Sequence, residues 1–339
     1  MNRYANGLIS GFSGLGREID WILWNPPDPW SIPKGMLLRR FINYPFHARG
    51  YQSDVNHVLD HSYGHLLFAI NPLKTVVTIH DISPTLYPGH ILGISGLMWK
   101  LSWRGTLRAA RMISVSEFTR QEVIRRFFVS PDRIVTIPEA VDPKFQILSP
   151  NILNKYRDPN TYQSPMLLHV GSTHPRKNLK SLIQAVAGLH KGGMKVTLLQ
   201  VGGVATEQLL DLIESLNLQK YIRFVGPVDD AKLIALYNLA DVFVYPSLYE
   251  GFGFPPLEAM ACGTPVVSSN AASLPEVIGN AGILINPNEP TALQEAIASV
   301  LMNPVLANEL KTKGIINVRR FSWQSTAKLT LNTYQEVLD

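Results

Sequence analysis

Glu250 and Glu258 stand in the run Tyr249-Glu250-Gly251-Phe252-Gly253-Phe254-Pro255-Pro256-Leu257-Glu258-Ala259-Met260-Ala261-Cys262-Gly263-Thr264-Pro265-Val266-Val267. An ionised carboxylate only accepts hydrogen bonds, and it has two oxygens with which to take hydroxyl groups. Two carboxylates at one rim therefore suit a polyol. The apolar stretch Val242–Tyr245 just before the run reads as a buried strand. Glu250 is then expected in a loop at the carboxyl end of a parallel strand, where open α/β sheets bind ligands. Gly251 and Gly253 let backbone N–H groups come close to a ligand. Pro255 and Pro256 suit the first turn of a helix, and that turn is expected to hold Glu258. Taken singly, Glu250 reads as a solvated loop acid and Glu258 as an acid favoured near a helix start; the whole string favours binding.

A second run, Leu167-Leu168-His169-Val170-Gly171-Ser172-Thr173-His174-Pro175-Arg176-Lys177-Asn178-Leu179, carries the opposite charge. A predicted strand ends at Gly171, and two cations precede a helix expected to be capped by Asn178. A diphosphate there meets Arg176, Lys177 and the positive end of a helix. A solvated basic turn is the plain alternative; the position at a strand's carboxyl end favours phosphate. Third comes Thr78-Ile79-His80-Asp81, at the end of a predicted strand in the other half of the chain. A lone His is more often structural, but its strand-end position favours a functional role.

Other chemistries find no support. There is no Asp-x-Asp pair, no His/Cys cluster with zinc spacing, no Walker-type loop and no Gly-x-Ser-x-Gly elbow. No metal and no cofactor are expected, so cations must neutralise any phosphate leaving group. The single cysteine, Cys262, sits in an apolar helical pattern and reads as a buried inert thiol, and one cysteine permits no internal disulfide. The 339 residues carry a formal net charge of +5, with 46% hydrophobic and 17% charged residues. That balance is globular and mildly basic. It suits phosphate ligands or anionic surfaces, and no nucleic-acid module accompanies it. No stretch reaches the length needed to span a bilayer, and no signal-peptide pattern opens the sequence, so a cytoplasmic location is expected.

The elements that must position these residues alternate. Strands are predicted at Trp21–Trp24, Asn56–Leu59, Thr75–Ile79, Met112–Val115 and Ile134–Ile137, with helices near 2–14, 94–110 and 116–128. A more regular series follows: strands at Met166–Val170, Lys195–Val201, Ile222–Val225, Val242–Tyr245, Pro265–Ser268 and Gly282–Ile285. Helices are expected near 178–190, 205–216, 230–239, 256–262, 290–301, 304–318 and 323–337. Strand–helix alternation argues α/β with parallel sheets. Residues 142–164 have the Pro-rich polar composition of a linker. The expected domains are 1–150, 165–320 and a C-terminal helix, 321–339, packing back on the first. The natural ligand site is the cleft between the two.

These strings resemble the retaining glycosyltransferase family 4, whose members have the two-Rossmann GT-B fold. The likeness runs from His80-Asp81 through Val115-Ser116-Glu117-Phe118-Thr119, Arg176-Lys177-Asn178 and Ala240-Asp241-Val242-Phe243-Val244-Tyr245-Pro246-Ser247 to Phe321-Ser322-Trp323. The Glu250–Glu258 run is the family's E-x7-E element. The resemblance implies that Arg176 and Lys177, beside Gly171, bind the nucleotide diphosphate and that Glu258 holds the ribose. It gives the donor sugar to Glu250 with the Gly253-Phe254 backbone, places Val228 by the base, and puts His80 on the sugar near the reacting centre. The family usually begins with a strand and a glycine-rich loop ahead of the first helix. Roughly 15 to 25 such residues are not found ahead of that helix here, by the size of a βα unit's strand and loop, so the expectation is either a start upstream of Met1 or a weakened donor site.

The resemblance thus implies retaining transfer of a hexose-type sugar from a UDP-, GDP- or ADP-sugar to an acceptor hydroxyl, in glycan, polysaccharide or glycolipid synthesis. A degraded GT-B binding module and a GT-B epimerase are the alternatives. Lys100, Arg104, Arg108 and Arg111 fall on one helical face beside Trp99 and Trp103, and Leu37-Leu38-Arg39-Arg40-Phe41 adds a second basic cluster. Both suit an anionic membrane surface at its cytoplasmic side, with a lipid-linked acceptor. The plain alternative, that the tryptophans are core and the cations an ordinary solvated face, is slightly favoured.

Overall fold

A computed structural model describes residues 2–16, 19–24, 39–83, 93–157 and 165–339. The chain divides into two compact units, Met1–Ala140 with Ser322–Asp339, and Val141–Phe321.

The first unit is built on four parallel strands, β1 (Asn56–Val58), β2 (Thr75–Ile79), β3 (Arg111–Ser114) and β4 (Ile134–Thr136), in that spatial order. β2 is buried along its whole length, as its unbroken apolar run requires of a strand covered on both faces. Helix α1 (Asn2–Ser13) buries Tyr4, Leu8 and Phe12 on one stripe. It crosses the C-terminal helix Trp323–Leu338 where Gly7 and Gly11 leave room. A Cβ at Gly7 would lie 2.1 Å from the Trp323 ring, and one at Gly11 2.2 Å from the Trp323 carbonyl oxygen. Helices α2 (Gly93–Thr106) and α3 (Glu117–Phe127) flank the sheet, and Ser116 caps α3 by accepting from the Thr119 N–H.

One expectation fails in this unit. Trp21–Trp24 forms no strand; Trp21, Ile22 and Leu23 are exposed. An apolar run becomes a strand only beside a neighbour with which to share its N–H and C=O groups. Among the described residues, β1 is the end of the sheet, and its outer side borders an apolar groove of about 410 Å³ that this segment lines together with Leu8 and Phe12. Trp103 follows the plain reading. Trp103 is buried and stacks on Phe127, with ring centroids 3.8 Å apart, so this ring belongs to the core and has no access to a lipid headgroup. α2 also stops at Thr106, so Arg108 and Arg111 lie past its end, and Arg111 pairs with Glu336 at 3.1 Å. Arg40 is held inside the fold, donating to the Ser62 carbonyl and lying over the Tyr63 ring. Leu37 and Leu38 fall outside the described residues.

The second unit holds six parallel strands: β5 (Met166–Gly171), β6 (Thr197–Gly202), β7 (Ile222–Gly226), β8 (Val242–Tyr245), β9 (Val266–Ser269) and β10 (Ile283–Ile285). Their spatial order is β10-β9-β8-β5-β6-β7. Helices α4 (Leu179–Lys191), α5 (Glu207–Ser215), α6 (Asp230–Leu239), α7 (Phe254–Ala261), α8 (Pro290–Met302) and α9 (Pro304–Val318) complete it. Leu182, Val186 and Ile297 pack with Leu167, Val242 and Val267 in its core. The order decides where a ligand goes. From β5 the chain winds outward through β6 and β7, then crosses back to β8 and winds the other way. The loops leaving β5 and β8 therefore part at adjacent strand ends, which opens a crevice at the switch point.

Candidate functional site

The two charged runs meet at that switch point. β5 ends at Gly171, whose following loop brings Arg176 and Lys177 into a single turn of 3-10 helix ahead of α4. β8 ends at Tyr245, and its loop carries Glu250. The Leu248 N–H donates to the Arg176 carbonyl at 2.7 Å, which ties the loops together. Ser273 fixes the second loop from behind, its hydroxyl donating to the Glu250 and Phe252 carbonyls at 2.9 and 2.6 Å.

Glu250 spans both cations. Its Oε1 accepts from Lys177 Nζ at 2.6 Å and its Oε2 from Arg176 Nη1 at 2.8 Å. Lys177 Nζ also donates to the Tyr245 hydroxyl at 2.5 Å, and Arg176 Nη1 to the Tyr249 carbonyl at 3.0 Å. Burial alone would raise the Glu250 pKa, but the charges of Lys177 and then Arg176 outweigh it and hold the carboxyl below the usual carboxylate range. Burial, reinforced by Glu250, pushes the Tyr245 phenol well above its ordinary value, so it stays a neutral donor. Beneath Lys177 lies His169, buried and stacked on Tyr245. Burial first and the Lys177 charge second pull its pKa down to about 3, so it is a neutral imidazole. A Cβ at Gly171 would sit 3.3 Å from Lys177 Cε, so a side chain there presses on the lysine stem.

Glu258 lies deeper than expected. α7 starts at Phe254, not Pro256, which moves Glu258 out of the first turn and buries it. Gly253 precedes the helix with φ +131°, a backbone conformation that residues with a side chain rarely adopt. Glu258 Oε2 accepts from the Tyr237 hydroxyl at 2.8 Å. Pro255 occupies the helix start as expected, and Phe254 beside it is half-buried. Val228 stands half-buried in the turn between β7 and α6, the helix capped by Asp229. Asn178 precedes α4 in a left-handed conformation, φ +56°, but it makes no cap bond; its amide donates to the Pro287 carbonyl instead. Among the described residues, no group of three or more His, Cys, Asp and Glu has metal-binding geometry.

In the first unit His80 follows β2, and Glu139, following β4, meets it. His80 Nδ1 lies 2.9 Å from Glu139 Oε1, and its Nε2 lies 2.7 Å from the Leu59 carbonyl. Burial alone would lower the His80 pKa. The charge and hydrogen bond of Glu139, with smaller help from Asp60 and the Leu59 carbonyl, reverse this and raise it to about 9. At neutral pH His80 is thus an imidazolium, ion-paired with Glu139 at Nδ1 and with Nε2 donated to the Leu59 carbonyl, so a ligand bond from Nε2 requires exchange with Leu59. The neighbouring Asp81 accepts from the Ser83 N–H and hydroxyl.

This pair makes a pH prediction. The folded pKa lies above the unfolded value of 6.5. The stabilisation is therefore complete below pH 6.5 and lost as the pH rises toward 9. The advantage of the wild type over Glu139→Gln is expected to be on the order of 2 kcal/mol at pH 6 and to shrink steadily to pH 9. Urea titrations across that range check it, and a constant gap contradicts it. Sequence reading missed Glu139, Tyr237, Tyr245 and His169. Tyr245 and His169 did carry a signal, since both stand on predicted strands next to the flagged loops.

Comparison with known proteins bears on the family and the fold. The family described as Glycosyl transferases group 1 matches residues 154–316, and that described as Glycosyltransferase Family 4 matches residues 14–145. An O-antigen chain mannosyltransferase B from Escherichia coli is 37% identical over 270 residues, covering 77% of this chain and 70% of that protein. The serotype-specific mannosyltransferase WbdA of Escherichia coli is 34% identical over 278 residues; the match covers 79% of this chain and only 34% of that longer protein. Among solved structures, sucrose-phosphate synthase from Thermosynechococcus elongatus superposes with a TM-score of 0.78 over 99% of this chain and 93% of that one, at 24% identity. Anabaena HepE in complex with UDP-glucose gives 0.75 over 90% and 84%, at 22% identity. Two parallel-sheet α/β units, these family matches and the mannosyltransferase relative place this chain in glycosyltransferase family 4, as a glycosyltransferase of the GT-B fold.

Proposed function

We propose that the protein is a retaining transferase that moves a hexose-type sugar from a nucleotide diphosphate donor to an acceptor hydroxyl in glycan, polysaccharide or glycolipid synthesis. The observation that carries this reading is the convergence of Arg176, Lys177 and Glu250 at the switch point of the second sheet. Two cations at a strand end neutralise a diphosphate, and an adjacent carboxylate accepts sugar hydroxyls. The relatives named mannosyltransferases and the neighbour bound to UDP-glucose support a hexosyl donor.

In this reading Arg176 and Lys177 bind the diphosphate beside Gly171. Glu258 accepts the ribose hydroxyls, Glu250 and the Gly253-Phe254 backbone hold the sugar, and Val228 borders the base. His80 contacts the sugar near the reacting carbon. Negative charge grows on the leaving phosphate as the sugar becomes oxocarbenium-like, and fixed cations stabilise it in place. The acceptor attacks on the face from which the diphosphate departs, without an enzymic nucleophile. The two side chains are proposed to supply the charge without a metal. A thermal-shift screen of UDP-, GDP- and ADP-sugars tests the reading, because a ligand of the native state raises stability by mass action. One nucleotide class should raise Tm; no response to any at millimolar concentration contradicts the donor assignment.

Peripheral membrane association belongs to the same proposal. No helix among the described residues is long and apolar enough to cross a membrane. Leu97, Lys100, Arg104 and Arg108 are exposed at one side of α2 and just beyond it. An exposed leucine among three cations suits an anionic bilayer surface carrying a lipid-linked acceptor. Binding to vesicles should rise with anionic lipid and fall with salt. It should drop when Lys100, Arg104 and Arg108 become glutamate; equal partitioning onto neutral and anionic vesicles contradicts it.

A further inference from the structure

Glu250 is itself an anion placed on the two cations. One carboxylate oxygen sits 2.6 Å from Lys177 Nζ and the other 2.8 Å from Arg176 Nη1, and its side chain is only 10% exposed. The placement is enforced from several sides. Ser273 pins its backbone carbonyl, the Leu248 N–H to Arg176 carbonyl bond locks its loop to the cation loop, and the Tyr245 hydroxyl holds Lys177 from the other side. With Arg176, Lys177 and Glu250 ionised, the cluster carries one net positive charge rather than two.

A diphosphate at this site draws on the same two cations that Glu250 neutralises, so the two anions compete for their charge. Two ligands face that competition differently. A nucleotide sugar brings sugar hydroxyls, which give the carboxylate new donors when it yields the cations. A nucleoside diphosphate brings no such donors and carries more negative charge on its unesterified terminal phosphate, so a buried carboxylate that faces it with its cations drawn away is costly. We infer that Glu250 makes the site discriminate between nucleotide sugar and nucleoside diphosphate, so that the residue that holds the donor sugar also weakens retention of the nucleotide left after transfer. This rests on the donor-site reading above. The energetic logic is the general one for selectivity: a built-in repulsion against the wrong ligand, offset only by the right one.

The test compares binding of free nucleotides and of nucleotide sugars by calorimetry, using UDP, GDP and their glucose or mannose conjugates as probes. Glu250→Gln keeps the side-chain shape and removes the charge. It should bind the cognate nucleoside diphosphate about tenfold more tightly than wild type, while the nucleotide sugar, which loses the carboxylate that accepts its hydroxyls, should bind no more tightly than to wild type. Glu250→Asp, too short to reach both cations, should shift the same ratio in the same direction, and it serves as the readout if Glu250→Gln does not fold by circular dichroism. In turnover assays with Glu250→Asp, the inhibition constant of the nucleoside diphosphate should fall in step. An unchanged ratio of the two affinities in the folded variants overturns the inference. Arg176→Ala separates this from the underlying reading: if it binds UDP and GDP as well as wild type does, the diphosphate site itself is misplaced, whatever Glu250 does.

Discussion

Arg176→Ala is expected to lower kcat by on the order of 100-fold or more, the scale of removing one preorganised donor from developing charge. Its guanidinium is oriented by the Tyr249 carbonyl, a contact that does not depend on Glu250, so little reorganisation is needed when charge builds on the leaving phosphate. Arginine is also always charged and presents planar N–H pairs that match phosphate oxygens. Lys177→Ala should fall as far. Lys177 is the more buried of the two, and in a site that excludes water a charge acts more strongly. The loss should appear mainly in kcat, since the charge it meets is greatest in the transition state. Steady-state kinetics of both variants, folded by circular dichroism, check this. A loss confined to KM assigns them to ground-state binding alone.

Glu258→Ala should act differently, raising KM for the nucleotide donor by about 10- to 100-fold with a smaller change in kcat. Two hydrogen bonds from ribose hydroxyls to a charged acceptor are lost, each of the charge-assisted kind. They are made in ground state and transition state alike, so they constitute uniform binding. The change also strips Tyr237 of its acceptor inside the core, so a fall in Tm accompanies it. Tyr237→Phe separates the two effects: it should keep near-normal KM, whereas Glu258→Ala should not. Equal KM for wild type and Glu258→Ala, measured on folded protein, contradicts the ribose assignment.

The second unit was readable because its signals are local. Each of its strands is a short apolar run followed by turn residues, and the chemistry-bearing residues lie in the loops directly after β5 and β8. Carboxyl-end placement followed from the strand prediction alone. What stayed hidden depends on residues far apart in sequence. No pattern around His80 announces Glu139, and no pattern around Glu258 announces Tyr237, because each pairing is made by the fold. That Glu250 would neutralise both cations was equally invisible, since the spacing between the two runs carries no information on contact. Trp21–Trp24 shows the opposite failure. Its propensity is real, but a strand is a property of a pair, and its sequence does not contain its neighbour. Trp103 shows why a helical stripe of cations and tryptophans is ambiguous: the ring at the edge of the stripe packs on Phe127 inside the unit.

The central claim is retaining transfer from a nucleotide sugar, and the anomeric configuration of the transferred sugar tests it most directly. An α-linked UDP- or GDP-hexose would be incubated with the enzyme and followed by proton NMR, with water or a simple alcohol glycoside as acceptor. The first-formed product should carry the α anomer, before mutarotation mixes the two, and it should form equally fast in EDTA. It should be absent with Arg176→Ala over the same interval. A first-formed β anomer, or transfer that continues undiminished in Arg176→Ala, would contradict the account.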